Sequence, residues 1–402
     1  MIRQDLRALR HSMGPRGFYE CVQNLLDTRE LSPDDFSLRQ LWEACVGPTA
    51  QTLPTLAARQ RVYVAEIDQL NEPLSEADLG INLFQTVTGA VIARRVMDAY
   101  DQAAGIGDQL VTLERSSVRS ERIPGFTALQ GPREVKEGMP YEEASFGDKF
   151  VSTVESKKGR LLSITEEAVH FDQTNELLRR AARLGEATRA EREKTIVRGV
   201  VDADYNATLS TGVYRPSGTL QELYPDNASL LNVIGPENTA EGFDAAVPLT
   251  DWTSLALPLQ YHAVYVKDDR HGPESGEPIA WQPRILLVPK SLEIRALQIV
   301  NATLVPATSG GTAFGGNPLR GAFTVLASAY LDQISTSDWY LGDFSRQFIW
   351  KEIWPVQVFR QSAQDGDGFD RDVVARFKVR YFGGINALDH RFVLKMIGEE
   401  EE

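Results

Sequence analysis

This sequence has few cysteines and histidines, no long apolar run and no excess of positive charge. Its 402 residues include 2 cysteines, Cys21 and Cys45, and this small number excludes a disulfide scaffold. The 5 histidines are scattered and lack zinc-ligand spacing. No run approaches the roughly 20 apolar residues of a membrane span, and no secretory signal follows the first arginines. A net charge of -14 argues against a protein whose main task is to bind nucleic acid. We therefore expect a soluble protein with reduced thiols that is intracellular when made.

Apolar residues are abundant enough for a sizeable core. Hydrophobic residues make up 42% of the chain and aromatic residues 9%, which excludes overall disorder and allows more than one compact unit. Residues 1–85 space their apolar side chains three and four apart, as in "RQDLRALRHSM" and "YECVQNLLDTRE". This spacing predicts a mainly helical N-terminal segment.

Residues 111–160 have a different composition from the rest of the chain. They contain nine Lys or Arg, eight Asp or Glu, repeated Gly and Pro breaks, and no long apolar run. Such a stretch is unusual inside a compact domain, and its balanced charge argues against simple disorder. We predict a long two-armed hairpin that is exposed on its own subunit and rests on a neighbouring one.

"KKGRLLSITEEAVHFDQ", residues 157–173, changes its period without a turn. Its residues suit a strand up to Ile164 and a helix from Thr165 onward, and Ser163 and Glu166 have the spacing of a capping box. Arg and Glu then separate the members of an apolar stripe. The sequence predicts one long helix from residue 166 to about residue 201, roughly 50 Å at 1.5 Å per residue.

Residues 203–310 alternate short stretches typical of strands with Gly and Pro turns, and one piece is sharper. In "PRILLVPKSLEIRALQIVNA" we predict a buried strand from Ile285 to Val288 that Pro289 ends. Ser291 is predicted to cap the helix that follows. That helix carries Leu292, Ala296, Leu297 and Val300.

The C-terminal region predicts a sheet. "RDVVARFKVRYFGG" is the clearest half-buried strand, because its apolar residues occupy every second position. Those residues are Val373, Ala375, Phe377, Val379 and Tyr381. "QFIWKEIWPVQVFR" and "DHRFVLKMIG" complete the sheet, and "QDGDGFD" is the expected hairpin tip.

No group of residues points to catalysis or to a bound metal. Glu167 and His170 form one E-x-x-H unit, whereas a di-iron bundle needs two; a metal-dependent oxidase built on them is the alternative from another class. "GGTAFGGN" lacks the lysine of a phosphate-binding loop and is expected to be a flexible loop, and "DGDGFD" departs from the calcium-loop pattern. The cluster of His262, Asp268, Asp269 and His271 lacks zinc spacing. We expect no catalytic activity, cofactor or metal.

The order of these parts resembles the major capsid proteins of tailed bacteriophages, whose shell fold is named after phage Hong Kong 97. "YEEASFGDKFVSTVESKKGRLLSITEEAVHFDQ" is similar to the return arm of that family's extended loop entering its spine helix. "LLRRAARLGEATRAEREKTIVRGVV" is similar to the rest of the spine helix, and "GEPIAWQPRILLVPKSLEIRALQIV" to a strand and helix of the axial domain. The C-terminal strands are similar to the sheet of the peripheral domain.

The resemblance implies an α+β capsid fold with a long spine helix, an extended β-hairpin loop, and peripheral and axial domains. The N-arm end and extended loop would occupy residues 86–165, and the axial domain residues 203–310. The peripheral domain would combine residues 166–202 and 311–402. Residues 1–85 would be a scaffold-like segment or an N-terminal arm.

The implied function is that of a major head protein without catalytic activity. It would self-assemble into the pentamers and hexamers of an icosahedral shell around phage or prophage DNA, which it would package without specific binding. Other implied partners are a scaffold, a maturation protease and a portal, and no membrane is expected. The implied location is the virion capsid, after assembly in the host cytoplasm. An encapsulin-like nanocompartment shell is the alternative.

Four charges of the extended loop are our candidates for contacts between subunits: Arg115, Arg119, Glu134 and Lys136. They follow from charge and position, and we expect their reversal to impair assembly. Some members of the resembled family cross-link a loop lysine to an asparagine. The residues in the corresponding regions here are Lys136, Lys149, Lys157, Lys158 and Asn386. No pattern singles any of them out, and we predict no cross-link.

Overall fold

The computed structural model describes the chain in several stretches. These are single residues and short pieces between 12 and 28, and residues 90–124, 150–165, 176–225, 230–236, 243–264, 282–306, 314–362 and 373–399. The chain divides into two compact units. Unit 1 comprises residues 1–104, 157–191 and 356–381, and unit 2 comprises residues 105–156, 192–355 and 382–402.

The described stretches contain both helices and strands, which confirms the predicted α+β class. Residues 12–13, 17–18, 20–22 and 24–25 are helical where they are described. The helices after them are α1 (described over 90–102), α2 (Gly107–Leu110), α3 (Glu176–Val200), α4 (Trp252–Val264), α5 (Glu293–Asn301), α6 (Ala329–Asp332) and α7 (Phe344–Gln347). The strands are β1 (Thr112–Arg115), β2 (Arg122–Pro124), β3 (Phe150–Ser152), β4 (Ser156–Thr165), β5 (Val233–Ile234), β6 (Ile285–Pro289), β7 (Leu304–Pro306), β8 (Phe314–Gly316), β9 (Thr324–Ser328), β10 (Trp339–Gly342), β11 (Phe348–Ser362), β12 (Val373–Ala387) and β13 (Val393–Met396).

The predicted long helix is confirmed over its described part, α3. In unit 1 its stripe of Leu178, Ala181 and Leu184 is buried, while charged residues cover the rest of its surface. The predicted start of this helix, residues 166–175, lies outside the described residues. The preceding strand, β4, runs to Thr165, one residue beyond the predicted end.

The predicted C-terminal strand is confirmed as β12. Phe377, Val379 and Tyr381 are buried, whereas Lys378 between them is exposed. In unit 1, β12 lies between β11 and β4 in the order of the sheet. The alternation therefore buries one face of the strand, as its period of two requires.

Unit 2 contains a five-stranded sheet in the order β5–β13–β10–β6–β9. The predicted buried strand is confirmed as β6, which pairs in parallel with β9 and antiparallel with β10. Helix α5 packs Ala296 and Val300 into the same core as Leu286 and Trp339. Strand β6 lies in the sequence range expected to form the axial domain, whereas its sheet neighbours β9 and β10 lie in the range expected to form the peripheral domain. The boundaries of those two domains stay a prediction.

Helix α4 corrects the expectation that residues 203–310 consist of short strands and turns. It begins after Asp251, whose Oδ1 accepts a hydrogen bond from the Thr253 backbone N–H at 2.9 Å. Pro258 lies inside the helix. Because proline removes one helical hydrogen bond, the sequence did not predict a helix here. Leu255 and Tyr261 are fully buried, so packing compensates for that loss.

The predicted cap at Ser291 is wrong. Lys290–Leu292 form a 3₁₀ turn before α5, and the Ser291 hydroxyl donates to the Thr336 carbonyl at 3.2 Å instead. The Asp332 carboxylate accepts the free backbone N–H groups of Lys290 and Ser291, at 2.9 and 3.1 Å. A carboxylate there satisfies donors that a capping side chain would otherwise take.

Part of the expected flexible loop "GGTAFGGN" is a strand. Phe314–Gly316, β8, pairs antiparallel with β7, so that Leu304 faces Gly316 in the register. The Asn317 side chain fixes the end of β8 by donating to the carbonyls of Ile299 and Ala302, at 2.7 and 3.1 Å. The loop prediction failed because these partners are distant in sequence.

Candidate functional site

The two legs of the predicted hairpin meet in unit 2. Strands β2 and β3 pair antiparallel, with Arg122 opposite Ser152 and Pro124 opposite Phe150. The Arg122 guanidinium lies 4.7 Å from the centre of the Phe150 ring, a cation–π contact across the pair. The chain between the strands, residues 125–149, lies outside the described residues. We call residues 116–124 and 150–155 the arm base.

A buried lysine lies beneath the arm base. Lys351 of β11 is 0% exposed, and its Nζ lies 2.9 Å from Glu121 Oε2 and 3.5 Å from Glu155 Oε1. It also donates a hydrogen bond of 3.1 Å to Thr153 Oγ1. Glu121 precedes β2, and Thr153 and Glu155 follow β3. One ammonium group therefore joins both legs of the arm to the β11 strand.

Further hydrogen bonds orient the two carboxylates. Ser116 Oγ donates to Glu121 Oε2 at 2.8 Å, and the Ser120 backbone N–H donates to Glu155 Oε2 at 3.0 Å. The hydrogen bond from Lys351, followed by that from Ser116, lowers the pKa of Glu121 below its usual value of 4.5. Glu121 is therefore an anion near neutral pH, which keeps its attraction to the buried ammonium group.

Strand β12 brings its backbone close to this cluster at two glycines. A Cβ on Gly383 would lie 2.7 Å from the Lys351 carbonyl oxygen, and one on Gly384 would lie 2.5 Å from the Val154 carbonyl oxygen. Asn386, which is 1% exposed, accepts a hydrogen bond from the Val154 N–H at 2.8 Å. The glycines let the strand approach, and the asparagine holds the segment after β3.

The cluster was not predicted from the sequence, although one signal was present. Lys351 stands directly after the apolar run Phe348–Trp350 in β11, and the side chains of Trp350 and Lys351 are both buried. Lysine is rarely fully buried unless it is paired, so a lysine in such a strand indicates a buried carboxylate partner. Glu121 and Glu155 are too distant in sequence for that partner to be identified without the fold.

The C-terminal part of α3 holds the chain that leads into the arm. The Glu193 carboxylate accepts hydrogen bonds from the Ile106 and Gly107 N–H groups, at 2.7 and 2.9 Å. Arg192 pairs with Asp108 at 3.1 Å, and its guanidinium lies 5.2 Å from the Trp350 ring centre. These contacts fix the segment before β1 to the helix.

Asp202 follows the end of α3 in a left-handed conformation, with φ of 52°. Its Oδ2 accepts the Leu223 N–H at 2.9 Å, and its Oδ1 accepts the Val213 N–H at 3.3 Å. Burial raises the pKa of Asp202 to about 7, although both hydrogen bonds oppose that rise. This carboxylate therefore titrates in the neutral range at the point where the helix ends.

The motifs considered for metal binding do not form a site in the described residues. His262 is buried within α4, and burial lowers its pKa to about 3. No group of three or more His, Cys, Asp or Glu side chains in the described stretches is arranged to hold a metal ion. Glu167, His170, Asp268, Asp269 and His271 lie outside those stretches, as does all of "DGDGFD".

Comparison with known proteins identifies the family. The family model described as "Phage capsid protein" matches residues 150–396, more than half of the chain. The chain belongs to the phage capsid protein family. No curated protein matches it significantly.

Several solved structures are similar to this capsid protein at low identity. A chain from Mycobacterium phage Adephagia is 12% identical, with 84% of this chain and 98% of that one covered and a TM-score of 0.47. The capsid of an empty GTA particle is 13% identical, with coverages of 73% and 90% and a TM-score of 0.41. A virus-like particle from Pyrococcus furiosus is 11% identical, with coverages of 76% and 97% and a TM-score of 0.40.

The family match confirms the predicted recognition, the capsid fold and the shell-forming role. The resembled elements are present as the paired arm legs β2 and β3, the long helix α3 and the strands β11 and β12. The match covers all of them except β2. It favours a phage head over the encapsulin-like alternative. Among the described residues, no helix is long and apolar enough to cross a membrane.

The structure describes two of the four predicted contact residues of the capsid protein, Arg115 and Arg119. The Arg115 side chain is 78% exposed, and its Nε lies 3.4 Å from Glu352 Oε2 of the same chain. Glu352 therefore partly neutralises the Arg115 charge within the subunit. Arg119 is exposed in the bend before β2. Glu134 and Lys136 lie outside the described residues. Their contacts with a second subunit stay a prediction.

Proposed function

We propose that this capsid protein forms the pentamers and hexamers of an icosahedral shell that encloses phage DNA. The family match over residues 150–396 is the observation that carries the proposal. Rings of five and six copies require heterologous contacts, in which each subunit offers one patch and receives another. The arm and the surface that receives it would be two such patches.

In this proposal the arm, residues 111–165, lies over an adjacent subunit. The arm base supports this proposal, because the Lys351 ammonium group contacts both legs of the arm. Arg115, Arg119, Glu134 and Lys136 would form exposed ion pairs with the neighbour, each contributing about 0–1 kcal/mol. Repetition over the shell makes such weak contacts collectively strong.

The proposed domain scheme follows the expectations from the sequence. Residues 1–85 are a scaffold-like segment or N-terminal arm, and residues 86–165 are the N-arm end and extended loop. Residues 203–310 form the axial domain, which meets its copies at the centre of a ring. Residues 166–202 and 311–402 form the peripheral domain.

The proposed partners are further copies of the chain, with a scaffold, a maturation protease and a portal during assembly. DNA is enclosed without specific binding, which the net charge of -14 supports because a basic surface would hold phosphates. The role is structural, without catalysis or a cofactor. The chain assembles in the host cytoplasm and resides in the virion capsid.

Charge reversal at Arg119 tests the role of the arm. Arg119→Glu is expected to reduce the number of shells seen in electron micrographs of the sedimented fraction, because an attractive ion pair with the neighbouring subunit becomes a repulsive one. Arg119→Lys keeps the charge and is the matched control, expected to assemble like the wild type. Normal shells from Arg119→Glu would contradict the proposed contact of this residue but not the proposed shell-forming role of the chain.

A further inference from the structure

One segment of this acidic protein contains no acidic residue. Asp and Glu make up 56 of the 402 residues, yet none occurs between Glu293 and Asp332. The basic residues of that interval are Arg295 and Arg320, and both are exposed. The interval includes most of α5, the β7–β8 pair and β9. We call the exposed residues of its described part, 294–306 and 314–331, the acid-free surface, which Glu293 and Asp332 flank in the sequence.

Large apolar side chains are exposed on the acid-free surface. Ile294 is 70% exposed and Leu297 is 40% exposed on helix α5, one helical turn apart. Leu304 of β7 is 62% exposed and Phe314 of β8 is 69% exposed. These four side chains recur within one stretch of sequence, and contact with another molecule would remove their apolar area from water.

The β7–β8 pair is held firmly on its own subunit. Val305 is buried, and Asn317 donates hydrogen bonds to two carbonyls at the end of α5. A Cβ placed on Gly315 or Gly316 would meet nothing within 4 Å. Glycine in a strand that packs against nothing is typical of a site where another backbone approaches closely. The pair therefore presents open backbone beside exposed apolar side chains.

We propose that the acid-free surface is where one copy of this chain binds the acidic exterior of a second copy. The proposal rests on the shell-forming role. Two copies that each carry a charge of -14 repel each other, so the least costly contact is one that lacks carboxylates on at least one side. Arg295 and Arg320 complement the acidic exterior, and the apolar side chains supply area to bury.

DNA is the other anionic occupant, and the composition of the surface disfavours it. Two arginines are too few for a phosphate-tracking surface, which relies on clustered Lys and Arg. Exposed Leu, Ile and Phe side chains gain more from burial against protein than from contact with a phosphate backbone.

An acidic substitution at Phe314 tests the proposal. Phe314→Asp is expected to raise the protein concentration needed for capsomer formation at least about tenfold, since it removes an apolar anchor and adds repulsion. Phe314→Leu retains an apolar side chain and is expected to remain near the wild type. Circular dichroism and thermal melting of the unassembled chains check the fold. The proposal is overturned if Phe314→Asp assembles normally, or if Phe314→Leu is equally impaired.

Photo-cross-linking at the same position identifies the occupant in an otherwise unaltered chain. With p-benzoylphenylalanine at position 314, irradiated particles should yield an adduct of two copies, whose second peptide is acidic and comes from this chain. An adduct with DNA, with a different protein, or with no molecule at all overturns the assignment. A chain that forms particles but gives such a result refutes only this inference. A wild-type chain that forms no oligomer refutes the shell-forming role as well.

Discussion

Lys351 illustrates how a single buried charge can organise an exposed segment. Its ammonium group is 0% exposed and contacts carboxylates on both legs of the arm base. Transfer of an ion from water into protein costs several kcal/mol, which the two carboxylates and Thr153 offset only when all are in place. The cluster therefore makes the arm base depend on correct folding around it.

Replacement of Lys351 should be strongly destabilising. Lys351→Met keeps most of the side-chain volume but leaves Glu155 buried beside no cation. We expect it to lower the free energy of unfolding by about 3–5 kcal/mol in urea titrations of the unassembled chain. Lys158→Met is the control, because its pair with Glu191 at 2.8 Å is partly exposed and should contribute about 0–1 kcal/mol. Equal effects of the two substitutions would contradict this account of the cluster.

Asp202 should make stability fall as the pH rises towards neutrality. The pKa of Asp202 is about 7 in the folded chain, and in the unfolded chain it takes its ordinary value of 3.8. Between these two pH values the folded state holds the proton and the unfolded state does not. The contribution of a raised pKa is fully present below the unfolded value and is lost as the pH rises through the folded one. Stability should decrease by about 1.4 kcal/mol per pH unit in that window.

Asp202→Asn isolates this titration. The difference in unfolding free energy between the wild type and Asp202→Asn should shrink as the pH rises from about 4 to about 7. His262, whose pKa is lowered to about 3 by burial, changes stability in the opposite direction, and it cancels because both chains contain it. A difference that does not vary with pH would show that Asp202 is already charged at acidic pH.

At the scale of elements, α1 and α3 pack closely in unit 1 at a glycine. A Cβ on Gly185 of α3 would lie 2.2 Å from the Val96 carbonyl oxygen of α1. Backbone is the group that would have to move, since no flexible side chain fills that space. The two helices therefore depend on the absence of a side chain at this position.

Gly185→Ala should destabilise the chain, although glycine to alanine stabilises an exposed helix interior by about 1 kcal/mol. The clash with the Val96 carbonyl outweighs the gain in helix propensity, and we expect a net loss of about 1–3 kcal/mol in thermal or urea unfolding. Glu186→Ala, at the adjacent exposed position, should change stability by no more than about 0.5 kcal/mol. Stabilisation by Gly185→Ala would contradict the close packing of the two helices.

Elements with a strong local period could be predicted from the sequence. The alternation around Phe377 located β12, and the apolar stripe around Ala181 located α3, because burial of one face follows from spacing alone. Helix α4 was missed because Pro258 is a helix breaker by propensity while tertiary packing decides its conformation. The caps and buried pairs were missed because their partners are distant, as Asp332 is from Lys290.

The candidate site shows the same division. The sequence predicted a protruding hairpin from mixed charge and the lack of core residues, and the described legs of that hairpin are paired. The side chains that fix its base come from β11 and β12 and from both ends of the arm. Only the fold brings them together, so no local pattern could have predicted the cluster.

At the scale of the whole molecule, a charge of -14 opposes assembly of identical copies. Contacts between subunits must therefore be complementary in charge or poor in carboxylates. The balanced charge of the arm and the acid-free surface meet these two conditions in different parts of the chain. Salt screens repulsion between distant charges, so assembly should depend on ionic strength.

Electron microscopy of the purified chain tests whether it is a shell-forming subunit. We expect closed shells, or rings of five and six copies, in the high-molecular-weight fraction from size exclusion. Co-expression with a scaffold should increase the proportion of closed shells. A chain that stays monomeric or dimeric at high concentration, with and without a scaffold, would show that it is not a shell-forming subunit.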